Sequence, residues 1–495
     1  MTAKKKKTAK KKSSAKKSLA DAVRVRMYRS GLGDCFLLSF PRKNAEPLHM
    51  LVDCGVFFQS PNEKQKMRDI ASHIKTETKG TIDVLVATHE HYDHLIGFKH
   101  ARDIFGPPVK IKEVWFSWTE KPGEPRAAWL RALEEKLKVG LQLALQDARA
   151  AFKGRTTRLE NVLQFGGPLG ADYSQQLGVI KRWLRDDVTP NVRYLEPHKD
   201  VVDLLPGVRV YPLGPPVKES LFRQMNDSKQ DPETYRTPFA FSAVPAFLSE
   251  DMAAVSASDS ASLAMPFEGR WQISADSART WRIPPTAMEP NGKEGDAFFD
   301  KYYGFDKAGD NKWRRIDDDW LAEAETLALQ LDSLTNNSSL ALAIEVGNAR
   351  RVILMAADAQ VGNWLSWHEA TWKTKSDTGS DVDVKAEDLL SRTVLYKVGH
   401  HGSHNATLKQ KGLEMMTSDE LVAMIPVDQN FANNTKHWEM PFPGLLTELT
   451  SKTKGRVIRA DNGLPKEADL MPDVRQKFKA ASDEDALYCD YFVPI

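Results

Sequence analysis

The spacing of apolar and polar positions predicts strands at the start of the chain. Residues 23–28 alternate at period two, and a glycine turn at 31–34 leads into a second apolar run at 35–40. Residues 49–52 read as a third strand, ending at Asp53-Cys54-Gly55. A helix is expected over residues 62–76, a buried strand over 81–87 and another strand over 111–116. The character then changes. Residues 125–152 are dominated by alanine, leucine, glutamate and lysine in a long helical repeat, with a second helix over 173–184. A strand at 208–213 stops at Gly214-Pro215-Pro216. From 217 to 315 the periodicity weakens and prolines recur, with a small-residue patch at 251–264, so this stretch reads as an irregular insertion and a candidate lid. A helix at 317–334 restores the pattern, followed by strands at 339–346, 351–355, 393–398, 421–427 and 456–459. Strands with helices between them predict two sheets covered by helices on their outer faces. Periodicity alone also fits other α/β arrangements.

Composition narrows the class. The 495 residues are 41% hydrophobic and 27% charged, and no apolar run approaches the ~18–20 residues of a membrane span. Three scattered cysteines, Cys35, Cys54 and Cys489, are too few for a disulfide framework or a four-thiolate zinc site, so a reducing, cytoplasmic setting is the default expectation. The net charge of +2 hides an asymmetry: residues 1–20 hold nine lysines and no acid, and removing them leaves the rest at −7. This arm is too uniform to fold alone. It suits either a solubilising tail or salt-sensitive contacts to phosphate backbones, with an anionic surface as a third partner.

The candidate chemistry sits where strands end. Thr88-His89-Glu90-His91-Tyr92-Asp93-His94 follows the apolar run at 82–87 and gathers three of the chain's 12 histidines. Imidazole and carboxylate at this spacing can hold two borderline metal ions side by side. Asp358 ends another apolar strand, and His400 and His401 follow a third within Gly399-His400-His401-Gly402-Ser403-His404. Helix capping is the competing reading of Asp358. A plain surface histidine is the competing reading of His198, and His404 fits either a supporting or a substrate-contacting position.

Thr-His-x-His-x-Asp-His after an apolar strand resembles the signature of the metallo-β-lactamase superfamily. Gly33-Asp34-Cys35-Phe36-Leu37-Leu38, Asp53-Cys54-Gly55 and Lys397-Val398-Gly399-His400-His401-Gly402-Ser403 resemble the branch that includes the hydrolase domain of bacterial competence DNA-uptake proteins. Pro426, Asn430 and Arg459-Ala460-Asp461-Asn462-Gly463 are similar to its closing elements. The resemblance covers residues 22–116, 203–216 and 339–465, roughly. It implies a four-layer αββα sandwich over 21–465 with insertions at about 120–200 and 217–338, and a C-terminal extension at 466–495. It also implies that His89 and His91 bind one metal, that Asp93 and His94 bind a second, and that Asp358 bridges them. His400 would be the late ligand, with His401 as the fallback. The third histidine usual in the family for the first metal is missing: the strand before it ends in Leu213-Gly214-Pro215-Pro216. Either His198 replaces it or the first metal is less fully held, which leaves a single or weak site open. Imidazole-rich ligation favours Zn²⁺, with Mn²⁺ as the alternative.

The expected reaction is hydrolysis by a metal-activated hydroxide, oriented with the help of Asp93. The branch resemblance, the lysine arm, and Lys397 with Ser403 and His404 beside the late ligand point toward phosphodiesters and nucleic acid. A small acyl, thioester or lactam substrate, and a non-catalytic metal-stabilised module, are the alternatives. Trp115, Trp118, Trp364 and Trp367 suit either base stacking or core packing. If the arm serves a polynucleotide, deleting residues 1–20 is expected to weaken binding and flatten the dependence of log K on log salt. A slope unchanged by the deletion would reduce the arm to a tail.

Overall fold

The computed structural model describes residues 21–151, 171–224, 232–235, 282–283, 293–294, 319–375 and 379–495. Two twisted sheets face each other. The first contains β1 (Ala22–Tyr28), β2 (Phe36–Arg42), β3 (Ala45–Val52), β4 (Thr81–Val86), β5 (Lys110–Ser117) and β6 (Val192–Leu195). The second contains β7 (Val202–Leu205), β8 (Val208–Pro212), β9 (Leu342–Val346), β10 (Arg351–Met355), β11 (Thr393–Lys397), β12 (Val422–Ile425) and β13 (Val457–Arg459). The chain then returns to the first sheet with β14 (Ser482–Glu484) and β15 (Tyr488–Pro494). The orders are β14-β15-β1-β2-β3-β4-β5-β6 and β13-β12-β11-β10-β9-β8-β7.

Each sheet is antiparallel in one half and parallel in the other. β3, β4, β5 and β6 run parallel, as do β10, β11, β12 and β13. Parallel neighbours need long crossovers, and these carry the covering helices. On the first sheet lie α1 (Glu63–Glu77), α2 (Tyr92–His100) and α4 (Ala171–Arg182), while α3 (Pro125–Ala151) packs along a later helix at Asp319–Asn337. The later chain adds α5 (Asp319–Asn337), α6 (Val361–Trp367), α7 (Pro443–Lys452) and α8 (Pro472–Ala481).

Alternation along the strands sorts side chains into three apolar layers. Val23, Val25 and Met27 of β1 meet Leu342, Ile344 and Met355 of the opposite sheet in the middle layer. Leu37 and Leu51 point outward onto Ile70, Ile74 and Leu95 of α1 and α2. Ala343 and Leu354 point outward onto Trp364, Trp367, Leu445 and Leu449. Each fully buried aliphatic side chain contributes about 1.5–3 kcal/mol. Helix, sheet, sheet and helix therefore stack as the αββα sandwich expected. Trp115, Trp118, Trp364 and Trp367 are all buried, and the last two pack with ring centroids 3.9 Å apart. They are core residues rather than base-stacking surfaces.

Several elements were hidden in the sequence. The C-terminal extension is woven into the first sheet, because β15 pairs with β1 along seven residues. Its alternation is masked by Asp490, a buried carboxylate that takes two hydrogen bonds from Arg26 at 2.7 and 2.6 Å. β6 and β7 are four residues each and only half-buried, too short for a clear period. Most of the 217–338 insertion lies outside the described residues, so its reading as a lid does too.

The turn after β3 is zipped onto the start of α2. Cys54 N–H donates to the His94 carbonyl at 2.8 Å, Gly97 N–H to the Cys54 carbonyl at 2.8 Å, and Asp34 N–H to the Asp93 carbonyl at 3.0 Å. Such an approach requires glycine at 55, where a Cβ would stand 2.1 Å from the Asp93 carbonyl carbon and oxygen. Backbone cannot swing away as a side-chain tip does. Gly55→Ala is therefore expected to cost about 3 kcal/mol in denaturant unfolding. Gly178→Ala in α4, where the added carbon meets nothing within 4 Å, should be neutral or stabilising. Equal stability of Gly55→Ala and the unmodified protein would contradict this packing.

Candidate metal centre

Three parallel strands deliver the chemistry at their C-terminal ends, where α/β sheets place ligand sites. β4 leads into Thr88-His89-Glu90-His91, and α2 begins at Tyr92, which puts Asp93 and His94 in its first turn. β10 leads to Asp358, and β11 to His400 and His401. All seven of these histidine and aspartate side chains are buried at 4% exposure or less, far below the usual exposure of charged groups. The backbone is held in the left-handed region at Asp53, Ala357, His400 and His401. Such residues cost roughly 1–3 kcal/mol each and cluster where geometry is over-determined.

The donors fall into two sets that share Asp358. His89, His91 and Asp358 form one set, and Asp34, His94, Asp358 and His401 the other, each with donor atoms within 4.8 Å of one another. In the first, His89 Nε2 is 3.1 Å from His91 Nδ1 and 4.0 Å from Asp358 Oδ2. In the second, His94 Nε2 is 3.1 Å from Asp358 Oδ2, and His401 Nε2 is 2.8 Å from Asp93 Oδ2.

Outward-facing hydrogen bonds fix which nitrogen of each ring points inward. Thr88 Oγ1–H donates to Asp53 Oδ2 at 2.6 Å, leaving the hydroxyl oxygen to accept His89 Nδ1–H at 3.1 Å. His94 Nδ1–H donates to Asp53 Oδ2 at 2.8 Å. The Pro426 carbonyl can only accept, so His401 Nδ1 carries a proton and donates it at 2.8 Å. In the neutral ring, Nε2 of His89 and of His94 is then the lone-pair nitrogen facing the centre, whereas His401 Nε2–H donates to Asp93 Oδ2 at 2.8 Å and would have to give up that proton to bind a cation. This is the support expected around metal-binding imidazoles.

Unpartnered atoms converge on the same space. His94 Nε2, Asp358 Oδ2 and Asp93 Oδ1 are buried and make no hydrogen bond among the described residues. Two acceptors facing each other at 3.1 Å need a proton or a cation between them. Electrostatics agrees. Burial opposes charge on His94, yet Asp358, Asp34, Asp53 and Asp93 outweigh it and hold its pKa well above the ordinary value. His401 is raised too, against burial, by its hydrogen bond to Asp93 and by the neighbouring carboxylates. Asp358 is held well below the usual carboxylate range, burial notwithstanding, chiefly by His94 and Lys397. Burial pushes His91 and His400 down to about 4, so both are neutral at pH 7. The donors thus fit two divalent cations of the kind that accept mixed imidazole and carboxylate ligands.

His401, the fallback, joins the second donor set. His400 is buried beside it, its Nδ1 3.3 Å from the amide nitrogen of Gln360. His198 is not brought to the site: it is exposed and stacks on Trp372 at 6.5 Å, so it does not fill the place of the missing histidine. His404 is half-buried on the loop beyond, edge-on to Phe442 at 6.0 Å. Lys397 is fully buried rather than turned to substrate. Its ammonium donates to the Ala357 carbonyl at 2.6 Å, pairs with Asp34, and lies 3.3 Å from Asp358 Oδ1. Asp34, Asp53 and Asp332 were not singled out, although the first two stand in runs beside glycine that the sequence already marked. Glu90, inside the motif, is bonded to Lys181 of α4, which also binds Glu120 at 2.9 Å. This ties the inserted helices to the metal loop.

Residues 48–213 match the model of the metallo-beta-lactamase superfamily. The matched segment runs from within β3 to just past β8 and includes the histidine motif, but neither Asp358 nor His401. No curated protein matches the chain. The match and the two donor sets together support a metal-dependent hydrolase, and no helix among the described residues is long and apolar enough to cross a membrane.

Because the pKa values of His94 and His401 are raised, the protons they hold stabilise the metal-free fold fully below about pH 6.5. That contribution is lost as pH rises through the folded-state values. Metal replaces those protons, so binding should release protons near neutrality and tighten as pH rises. Calorimetry in buffers of different ionisation heat is expected to show release of about one proton or more at pH 7. No release, with pH-independent affinity, would contradict the assignment of these nitrogens.

Proposed function

We propose that the chain is a two-metal hydrolase of phosphodiester bonds, with a nucleic acid as its substrate. The observation that carries the hydrolase reading is the pair of buried donor sets joined at Asp358. The phosphodiester reading draws on the lysine arm, with nine lysines in residues 1–20, and on the competence-like motifs around Asp34, Asp53 and His400-His401.

His89, His91 and Asp358 would hold one cation, and Asp34, His94, Asp358 and His401 the other, with Asp93 lying against His401. Zn²⁺ suits the imidazole-rich first set, and Mn²⁺ is the alternative where oxygen donors are more numerous. When bound, such cations supply Lewis acidity, acidifying water and drawing charge from a phosphoryl oxygen. The remaining work falls to the protein. Asp93, whose Oδ1 is buried with no hydrogen-bond partner among the described residues, would orient water and take up its proton. Lys397 pairs with Asp34 and Asp358 and fixes both carboxylates in place. Asp53 holds the imidazole of His94 and the hydroxyl of Thr88 together. His404 is the residue of this loop that we assign to contact substrate.

Metal-loaded protein should cleave at least one of single-stranded DNA, double-stranded DNA, RNA and a generic phosphodiester. Asp358→Ala should lower the rate by about 10²-fold or more. Cleavage unchanged in that variant would mark a contaminant. Inactivity on all four beside turnover of a thioester or lactam would move the reaction to acyl transfer. Inactivity on every substrate with metal bound would favour a binding module.

A further inference from the structure

The first donor set has three members where the second has four, and no replacement for the missing histidine joins it among the described residues. A carboxylate nonetheless stands beside it. Asp332, near the end of α5, is 8% exposed, and its Oδ1 lies 3.8 Å from His91 Nε2. Oδ2 accepts a hydrogen bond from Asn336 at 3.0 Å, whereas Oδ1 makes no hydrogen bond among the described residues. Asp332 lies beyond the segment that matches the family model and inside the stretch that reads from sequence as an insertion.

Two observations fix what this carboxylate does. It belongs to neither group of mutually close donor atoms, so it does not occupy a ligand position. The nitrogen it faces is the outward one of His91, since Nδ1 is the nitrogen 3.1 Å from His89 Nε2. His89, His94 and His401 each have their outward nitrogen held, by Thr88, Asp53 and the Pro426 carbonyl. Asp332 stands in the corresponding place for His91. Its position is braced by the segment that follows α5. Leu340 N–H donates to the Thr88 carbonyl at 3.0 Å, and Asp358 N–H to Ser339 Oγ at 3.3 Å. Asn363 donates through its side-chain amide to the Asn337 and Ser339 carbonyls at 3.0 and 2.9 Å.

We propose that Asp332 is a positioning residue whose Oδ1 receives the Nε2–H of His91, fixing the tautomer that turns Nδ1 toward His89 and Asp358. The inference rests on the two-metal reading above. It means that a helix outside the matched segment completes the weaker half of the centre. Carboxylates in this relation to a ligating histidine change metal affinity by about 10–100-fold.

The test is a Zn²⁺ titration of the full chain against a competing chelator, with ¹⁵N-histidine spectra of the loaded protein and thermal melts of the metal-free protein. Asp332→Ala is expected to weaken one of two Zn²⁺ equivalents by about 10–100-fold and to loosen the His91 tautomer. The metal-free melting temperature should stay unchanged or rise. Asp332→Asn, whose amide oxygen still accepts a hydrogen bond, should retain most of the affinity. Asp332→Leu serves in place of Asp332→Ala if the latter does not fold. Two equivalents at unmodified affinity in the alanine or leucine variant, with the His91 tautomer unchanged, would overturn this inference alone. An equal loss in the alanine and asparagine variants, accompanied by a lower metal-free melting temperature, would also overturn it by showing a structural role. Failure of the unmodified chain to bind Zn²⁺ would overturn both this inference and the two-metal reading.

Discussion

The constraint on which the structure turns is the charge buried around Asp358. Asp34, Asp53, Asp93, Asp332 and Asp358 are all 8% exposed or less, and among the described residues the only lysine buried with them is Lys397. An ionised carboxylate removed from water without compensation costs several kcal/mol. When all five are ionised, Lys397 cancels one charge, and two divalent cations would cancel the other four. Without metal, protons take up part of that role, which is why His94 and His401 hold theirs so tightly. The centre is built for a charge that the polypeptide does not itself supply.

The fold exists to bring that charge together. Two sheets with parallel halves present their strand ends at one edge, and each end carries part of the donor set. The middle apolar layer holds the sheets in register, and the loops add local detail. The turn at Asp53 lies on the backbone of Asp93 and His94, so residues distant in sequence move as one body. Lys181 does the same for α4 by gripping Glu90 between the two histidines of the first metal set. A change on this turn, as at Gly55, therefore reaches the donors through backbone rather than through side chains.

Much of this was legible in the sequence, for physical reasons. Strands buried on one or both faces show their period, and a histidine cluster at a strand end is improbable unless it binds something. That is how β1 to β5, the long helices, Asp358 and the double histidine could be read. The choice between His400 and His401 was not legible, because neighbouring residues in left-handed conformations point in directions that no periodicity encodes. Lys397 read as a cation for substrate, since sequence does not show that Asp34 comes to meet it. Asp332 was invisible for a similar reason: an aspartate in an amphipathic helix resembles a solvated face until the helix is docked. β15 was missed because a buried Arg26–Asp490 pair breaks its apolar alternation.

The central claim is that two cations sit on either side of Asp358. The most direct measurement is anomalous scattering at the zinc absorption edge from crystals of the full chain loaded with Zn²⁺. Two peaks are expected, one among His89, His91 and Asp358 and the other among Asp34, His94, Asp358 and His401. A single peak away from Asp358, or no peak at fully loaded conditions, would contradict the account.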